Sequence, residues 1–177
     1  MPAAVEDFRK FSYSTARLYA SGKYLGKNTY WKIYFLENVL RLIIHTVLAA
    51  QYYKDKEWWE DLAGEGAKNS YKRNRKRYLT QDAKLFSIPG KHPLYYIDIK
   101  DLNEIIRANR PLFAPVVSDK LLDSLIVKIE EIRIPRNIVA HMNFPTKTDK
   151  NRIDLFFDDL NIIVEIVLEK TKKILIP

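Results

Sequence analysis

Apolar side chains recur every three or four residues along most of this chain, which is the spacing of one face of an α-helix. One such pattern runs from Tyr30 to Tyr53, with apolar positions at Ile33, Tyr34, Leu40, Ile43, Ile44, Val47 and Leu48. Another starts at Asp119, with apolar positions at Leu121, Leu122, Leu125, Ile126, Ile129 and Ile132. The two patterns predict two long core helices, the first of them mostly buried.

Shorter stretches of the sequence predict further helices. Asp101 and Glu104 precede two isoleucines, which is typical of a helix start, because carboxylates stabilise its positive end. The segment from about Phe156 to Ile174 is rich in Ile, Val and Leu, and its length favours a helix over a strand. We therefore predict a C-terminal helix and helices at about residues 5 to 20, 30 to 53, 58 to 79, 101 to 109 and 119 to 143.

Loops are predicted where prolines and polar residues cluster. Pro89, Gly90 and Pro93 indicate one loop, and the segment from Pro145 to Arg152 indicates another polar connection. No internal repeat is visible, and 177 residues with 47% hydrophobic content suffice for one domain with a substantial core. The sequence predicts an all-α, single-domain bundle of about five to six helices over residues 1–177.

The charge balance narrows the choice of partners. A formal charge of +8 and a pI near 9.5 favour acidic partners such as nucleic acid or anionic membrane, with ordinary solvated surface charge as the alternative. The absence of cysteine excludes disulfides and thiolate metal sites and fits a reducing compartment. The chain start lacks the apolar core of a signal peptide, and the apolar runs are short and interrupted, so we expect a cytoplasmic protein that does not cross a membrane.

The segment from Lys68 to Tyr78 reads KNSYKRNRKRY and is the strongest candidate for contact with nucleic acid. Its cations can bind a phosphate backbone, and Tyr71 and Tyr78 can stack on bases. The alternative is a solvated helix face. The predicted RNA-binding residues of this basic segment are Lys72, Arg73, Arg75, Lys76 and Arg77.

A motif that can carry chemistry follows the second long pattern. Arg136 and Asn137 are followed four residues later by His141. Arginine stays charged and holds a phosphate through two parallel hydrogen bonds, while histidine exchanges a proton near neutral pH. The pair therefore suits phosphodiester cleavage without a metal.

The helical geometry of this motif leaves alternatives open. On a regular helix Arg136 points about 140° away from His141, whereas Asn137 and His141 share a face. Pro135 can start a fresh turn or kink the helix, which would let Arg136 swing toward His141. The alternative is that His141 caps the helix C-terminus and Arg136 pairs with a nearby glutamate, Glu130 or Glu131.

Other candidate residues have simpler interpretations. Glu37 and Arg41 lie four apart, the spacing of a helical ion pair. His45 is expected in the core or a groove, and the Trp58-Trp59 pair in the core or a dimer interface rather than on a base-stacking surface. Neither a His-x-x-x-His pair nor a glycine-rich phosphate loop occurs, so we expect no metal and no cofactor.

These residues resemble the HEPN superfamily (higher eukaryotes and prokaryotes nucleotide-binding domains), whose signature is Arg, a polar residue, three or four more residues and His. Arg136, Asn137 and His141 match that signature. The resemblance covers about residues 30–170 and leaves residues 1–29 as an N-terminal helical extension. Pro135 departs from it, because an uninterrupted helix is expected there. Two further stretches resemble the branch found beside RNA-processing endonucleases: Leu36 to Arg41 followed by Trp58-Trp59, and Asp101 to Asn109 with Phe113.

The resemblance implies a helical, usually dimeric protein in which the motifs of two protomers form a metal-independent endoribonuclease. It further implies that Glu37 points into the cleft and positions Arg136 or His141, and that Arg41 lies with the RNA-binding residues. Many relatives are toxins or antiviral effectors, which implies an antitoxin or a larger defence system as a partner. Other relatives have lost catalysis and bind RNA, a nucleotide or a partner protein.

The chemistry of RNA suggests a role for each motif residue. RNA carries its own nucleophile, the 2′-hydroxyl, so an enzyme needs to move its proton, stabilise the phosphorane and protonate the departing 5′-oxygen. We assign the proton transfers to His141, charge stabilisation to Arg136, and orientation of the phosphate or the imidazole to Asn137. Acid and base steps call for two proton carriers, so a homodimer that brings two copies of His141 together is expected.

Overall fold

The computed structural model describes residues 7–10, 12, 14–52, 57–82 and 87–171. Every regular element over these residues is helical, which confirms the predicted all-α class. A π-helical turn, Gly26–Tyr30, joins the first two α-helices, and 3-10 helices lie at Phe8–Lys10 and Pro93–Tyr96. The α-helices are α1 (Thr15–Leu25), α2 (Trp31–Gln51), α3 (Trp59–Leu62), α4 (Gly64–Asp82), α5 (Ile99–Ala108), α6 (Arg110–Val117), α7 (Asp119–Ala140) and α8 (Lys147–Lys170).

Helix α2 occupies the core, as its apolar spacing predicts. It packs against α5, α6 and α8, and α7 packs against the same three helices. Its most deeply buried side chains are Leu36, Leu40, Ile44, Val47 and Leu48, each at most 1% exposed. Full burial of such a side chain stabilises a fold by about 1.5–3 kcal/mol, so this stripe fixes the position of α2.

The continuous helix Thr15–Gln51, formed by α1, the π-helical turn and α2, is long and apolar enough to cross a membrane by length and composition. Of its apolar window, 61% is buried inside the protein. A core helix of a soluble protein meets the same two criteria, and the burial is what the apolar stripe of α2 predicts.

One helix start and one whole helix differ from the prediction. Helix α8 begins at Lys147, inside the segment that we predicted to be a polar connection, because Thr146 and Asp149 form a reciprocal capping box. Helix α6 forms where no helix was predicted, between those at 101 to 109 and 119 to 143. Pro111 lies in its first turn, where the missing N–H costs nothing, and Pro115 lies inside the helix.

The other predicted helices are shifted or divided. The segment predicted as one helix at 58 to 79 forms α3 and α4, which are separated at Ala63; the first residue of α4, Gly64, has a φ of +76°, where glycine is favoured. Within the described part of the helix predicted at 5 to 20, Phe8–Lys10 is a 3-10 helix and α1 starts at Thr15. Positions 5, 6, 11, 13, 53 and 172–174 of the predicted helices lie outside the described residues.

A buried aromatic cluster fixes the loop before α5. Trp58 Nε1 donates a hydrogen bond to His45 Nδ1 at 3.1 Å, which confirms both side chains as core residues. The His92 ring lies 5.0 Å from the His45 ring, and its Nδ1 accepts a hydrogen bond from the Leu94 backbone N–H at 3.2 Å. Burial, with a smaller contribution from His45, lowers the pKa of His92 to about 4.

We expect this histidine to make folding pH-dependent. The unfolded chain binds a proton at His92 near pH 6.5 and the folded chain only near pH 4, so stability is lost as the pH falls through this window. The substitution His92→Asn keeps an acceptor for the Leu94 N–H and removes the titration. Urea unfolding at about pH 7, 5.5 and 4.5 should therefore give a shallower pH dependence for His92→Asn than for the parent. Equal pH dependence of the two proteins would contradict the assignment.

Candidate functional site

The centre of the site is a carboxylate on α2 that binds two guanidinium groups. Glu37 is 9% exposed. Its Oε1 accepts a hydrogen bond from Nε of Arg136, which lies on the last turns of α7, and its Oε2 accepts one from Arg41 Nη2 at 3.1 Å. Glu37 thus forms both the predicted helical ion pair and the contact with the motif arginine that the resemblance implied.

Arg41 lies behind Glu37. Its side chain is 11% exposed, and its Nε donates to the carbonyl of Leu94 at 2.9 Å, while its Nη2 donates to the carbonyl of Ile97 at 3.2 Å. The guanidinium therefore connects α2 to the Pro93–Tyr96 turn and holds Glu37 in place. The resemblance implies that Arg41 lies with the RNA-binding residues; its observed contacts are with Glu37 and with the backbone before α5.

One nitrogen of the Arg136 guanidinium has no hydrogen-bond partner among the described residues. Besides the contact of its Nε with Glu37, Arg136 Nη1 donates to Asn137 Oδ1 at 3.0 Å, and among the described residues Nη2 has no hydrogen-bond partner. The expected alternative, a pair between Arg136 and Glu130 or Glu131, is not what forms. Glu130 pairs with Arg133 instead, at 3.0 Å.

His141 follows directly after α7. Pro135 lies inside this helix without ending it, and His141 occupies the C-cap. Two hydrogen bonds close the helix in a Schellman arrangement: the N–H of Met142 donates to Val139 O and that of Asn143 to Ile138 O, both at 2.9 Å.

The helix cap fixes the main chain of His141, as the capping alternative proposed, but leaves its side chain unconstrained. The imidazole is exposed, and the described part of the chain offers it no hydrogen-bond partner. Asn137 and His141 are joined through the backbone, where the His141 N–H donates to Asn137 O at 3.0 Å. Among the described residues of a single chain, the side chains of the motif arginine and histidine are therefore not hydrogen-bonded to each other.

The loop after His141 is held by residues that the sequence did not indicate. Arg9 Nη1 donates to Asn143 Oδ1 at 3.1 Å. The Lys150 ammonium lies 4.9 Å from the Tyr24 ring and 4.7 Å from the Phe144 ring, within the range of cation–π attraction. The contacts of Arg9 with Asn143 and of Lys150 with Tyr24 join residues far apart in the sequence, so no local pattern could have revealed these two.

The basic segment lies on α4 with all five predicted cations exposed, but they point in different directions. Arg77 lines a cavity of about 370 Å³ together with Arg136. Lys72, Arg75 and Lys76 line a separate groove of about 380 Å³. The side chain of Arg73 bonds to Ser70 on its own helix, with Nη2 and Oγ 3.4 Å apart. The structure thus brings one of the five predicted RNA-binding residues of α4 next to the motif arginine.

Over the described ranges, no three His, Asp or Glu side chains are grouped so that they could hold a metal ion. No family model, no curated protein and no solved structure matches the chain.

We expect Glu37→Gln to destabilise the fold by about 3 kcal/mol, because it leaves the little-exposed guanidiniums of Arg41 and Arg136 without a counter-charge. Glu130→Gln is the matched control, since it removes the same charge from an exposed ion pair and should cost less than about 1 kcal/mol. Urea denaturation at neutral pH measures the free energy of unfolding of both variants and of the parent. Equal losses for the two variants would show that the Glu37 carboxylate is not the structural centre of this cluster.

Proposed function

We propose that this chain is a metal-independent endoribonuclease of the HEPN type, with a bundle core at about residues 30–170 and an N-terminal extension at 1–29. The observation that carries the proposal is the placement of Arg136. Its guanidinium is oriented by Glu37, keeps Nη2 unpaired among the described residues, and lines a cavity together with the cation of Arg77. Such a convergence of cations suits a phosphodiester.

The proposed reaction needs no group from outside RNA and protein. One His141 takes the proton of the 2′-hydroxyl, and the 2′-oxygen then attacks phosphorus to form a charged phosphorane that Arg136 stabilises. The bond from phosphorus to the 5′-oxygen breaks, and a protonated imidazole supplies the proton to that oxygen. The products are a 2′,3′-cyclic phosphate and a 5′-hydroxyl. Asn137, bonded to Arg136 Nη1, orients the guanidinium or the phosphate.

The proposal includes a homodimer. One chain supplies one motif histidine, and its side chain forms no hydrogen bond with Arg136 within the described residues. A two-fold axis beside the end of α7 would bring the exposed imidazole of a second copy into reach of Arg136 and would provide both an acid and a base. A cytoplasmic toxin or defence effector, controlled by an antitoxin or acting within a larger defence system, is the biological setting that the resemblance suggests.

The second candidate is a non-catalytic HEPN module that binds RNA, a nucleotide or a partner protein through the same cleft. The specific observation in its favour is that Arg136 and His141 are not hydrogen-bonded to each other among the described residues of the single chain. An ordered arginine beside the cations of α4 binds a phosphate whether or not a proton donor is present. The two candidates differ in whether RNA is cleaved.

We expect the parent protein to cleave labelled total RNA in EDTA and to leave cyclic phosphate ends, while His141→Asn and Arg136→Ala lose at least about a hundredfold in rate, the typical contribution of one acid–base or charge-stabilising group. Asn is well tolerated at helix C-termini, so His141→Asn should keep the fold. Gel electrophoresis of the RNA measures the cleavage rate, and end-group mapping identifies the ends of the products.

Arg133→Ala is the matched control for Arg136→Ala, because Arg133 lies one helical turn away and pairs with exposed Glu130. It should cleave like the parent. Binding without cleavage by the parent would favour the non-catalytic module, and equal cleavage by the parent and His141→Asn would exclude His141 as the proton carrier.

A further inference from the structure

The cavity beside Arg136 has aromatic walls. It has a volume of about 370 Å³ and lies between the second half of α4, the turn before α5 and the end of α7. This volume is in the range of small-ligand sites. Five lining side chains offer groups that a ligand can bind. They are Tyr78 on α4, Tyr95 on the turn, Asp98 at the start of α5, and the two cations Arg77 and Arg136.

The tyrosine walls are held in place before any ligand enters. Tyr96 is buried, and its hydroxyl donates to the carbonyl of Gly90 at 2.7 Å. The Tyr78 ring packs edge-on against Tyr96, with centroids 5.7 Å apart. Gly90 also accommodates Tyr95, because a Cβ at position 90 would lie 2.5 Å from the Tyr95 ring. The aromatic surface is therefore preorganised, which lowers the entropic cost of binding.

The lining of the cavity includes both cations and a carboxylate. Arg136 and Arg77 supply the two cations. Asp98 also lines the cavity, and its Oδ1 caps α5 by accepting hydrogen bonds from the backbone N–H groups of Lys100 at 2.9 Å and Asp101 at 3.2 Å. Asp98 Oδ2 has no partner among the described residues, so it is an available acceptor. Cations for a phosphate, rings for a base and a carboxylate for a donor match the parts of one nucleotide.

We propose that this cavity, the tyrosine cleft, holds an unpaired RNA base next to the phosphate bound by Arg136. The cleft is lined by Asn74, Arg77, Tyr78, Tyr95, Tyr96, Ile97, Asp98 and Arg136. The base stacks on the ring of Tyr78 or Tyr95. Asp98 accepts a hydrogen bond from an exocyclic amino group, which adenine, cytosine and guanine carry and uracil lacks. The inference depends on the proposed function only in taking RNA as the ligand.

Binding of short RNA to the His141→Asn protein tests the cleft without cleavage. The probes are fluorescein-labelled hexa-adenylate and hexa-uridylate, and anisotropy titration at one fixed salt concentration gives Kd. The substitution Tyr78→Ala should weaken hexa-adenylate binding about tenfold, the usual loss for one base–aromatic stack, and Tyr78→Phe should keep it. Tyr19→Ala is the matched control, because Tyr19 is 71% exposed on α1 and lies outside the cleft. It should change Kd less than about twofold.

A second substitution tests the acceptor. Asp98→Asn keeps a residue that caps helices equally well, so the fold should be retained. An amide donates as well as accepts, and it can therefore bind the O4 carbonyl of uracil. We expect Asp98→Asn to narrow the preference for hexa-adenylate over hexa-uridylate by about fivefold or more. An unchanged ratio of the two Kd values would overturn the assignment of Asp98.

The failure of this inference differs from the failure of the proposed function. Cleavage by the parent together with equal RNA affinity of Tyr78→Ala and Tyr19→Ala would overturn the tyrosine cleft and leave the ribonuclease standing. A Tyr78-dependent affinity without any cleavage would support the cleft and favour the non-catalytic module. Absence of measurable RNA binding at low salt would overturn the cleft directly.

Discussion

The Glu37 carboxylate is the interaction on which the geometry of the site depends. It is almost fully buried and lies between two guanidinium groups, one from its own helix and one from a residue 99 positions further along the chain. A buried carboxylate needs paired charge and hydrogen bonds, or it destabilises the fold by several kcal/mol. The same requirement fixes Arg136 against α2, so the demand for charge balance in the core also orients the arginine of the motif.

Pairing with Glu37 has an electrostatic consequence for any bound phosphate. Glu37, Arg41 and Arg136 together carry a net charge of +1, so this cluster alone attracts an anion less strongly than two unpaired arginines would. Glu37 thus orients Arg136 but weakens the electrostatic attraction of this cluster for a phosphate. Other cations must supply the rest of that attraction. Arg77, which lines the same cavity as Arg136, is the α4 cation placed to contribute to it.

Regular apolar spacing was predicted correctly from the sequence, whereas some local signals and the contacts between distant residues were missed. The apolar stripe of α2 identified a core helix because it repeats within one element. Helix α6 was not predicted, although Pro111 lies in its first turn, where a proline costs no hydrogen bond. The start of α8 could have been predicted from the capping box that Thr146 and Asp149 form. The hydrogen bond from Arg9 to Asn143 could not have been predicted from local sequence, because the two residues are 134 positions apart.

His141 combines a rigid main chain with an unconstrained side chain. Met142 adopts a positive φ of 59°, a conformation that costs a non-glycine residue about 1 kcal/mol or more and persists where the surroundings enforce it. The Schellman hydrogen bonds, Arg9 and the cation–π contacts of Lys150 supply that enforcement. The cap therefore fixes the main chain from which the His141 side chain projects, while the imidazole itself is exposed and has no hydrogen-bond partner among the described residues. In the proposed homodimer, an exposed imidazole on a fixed main chain could reach the Arg136 of the second copy.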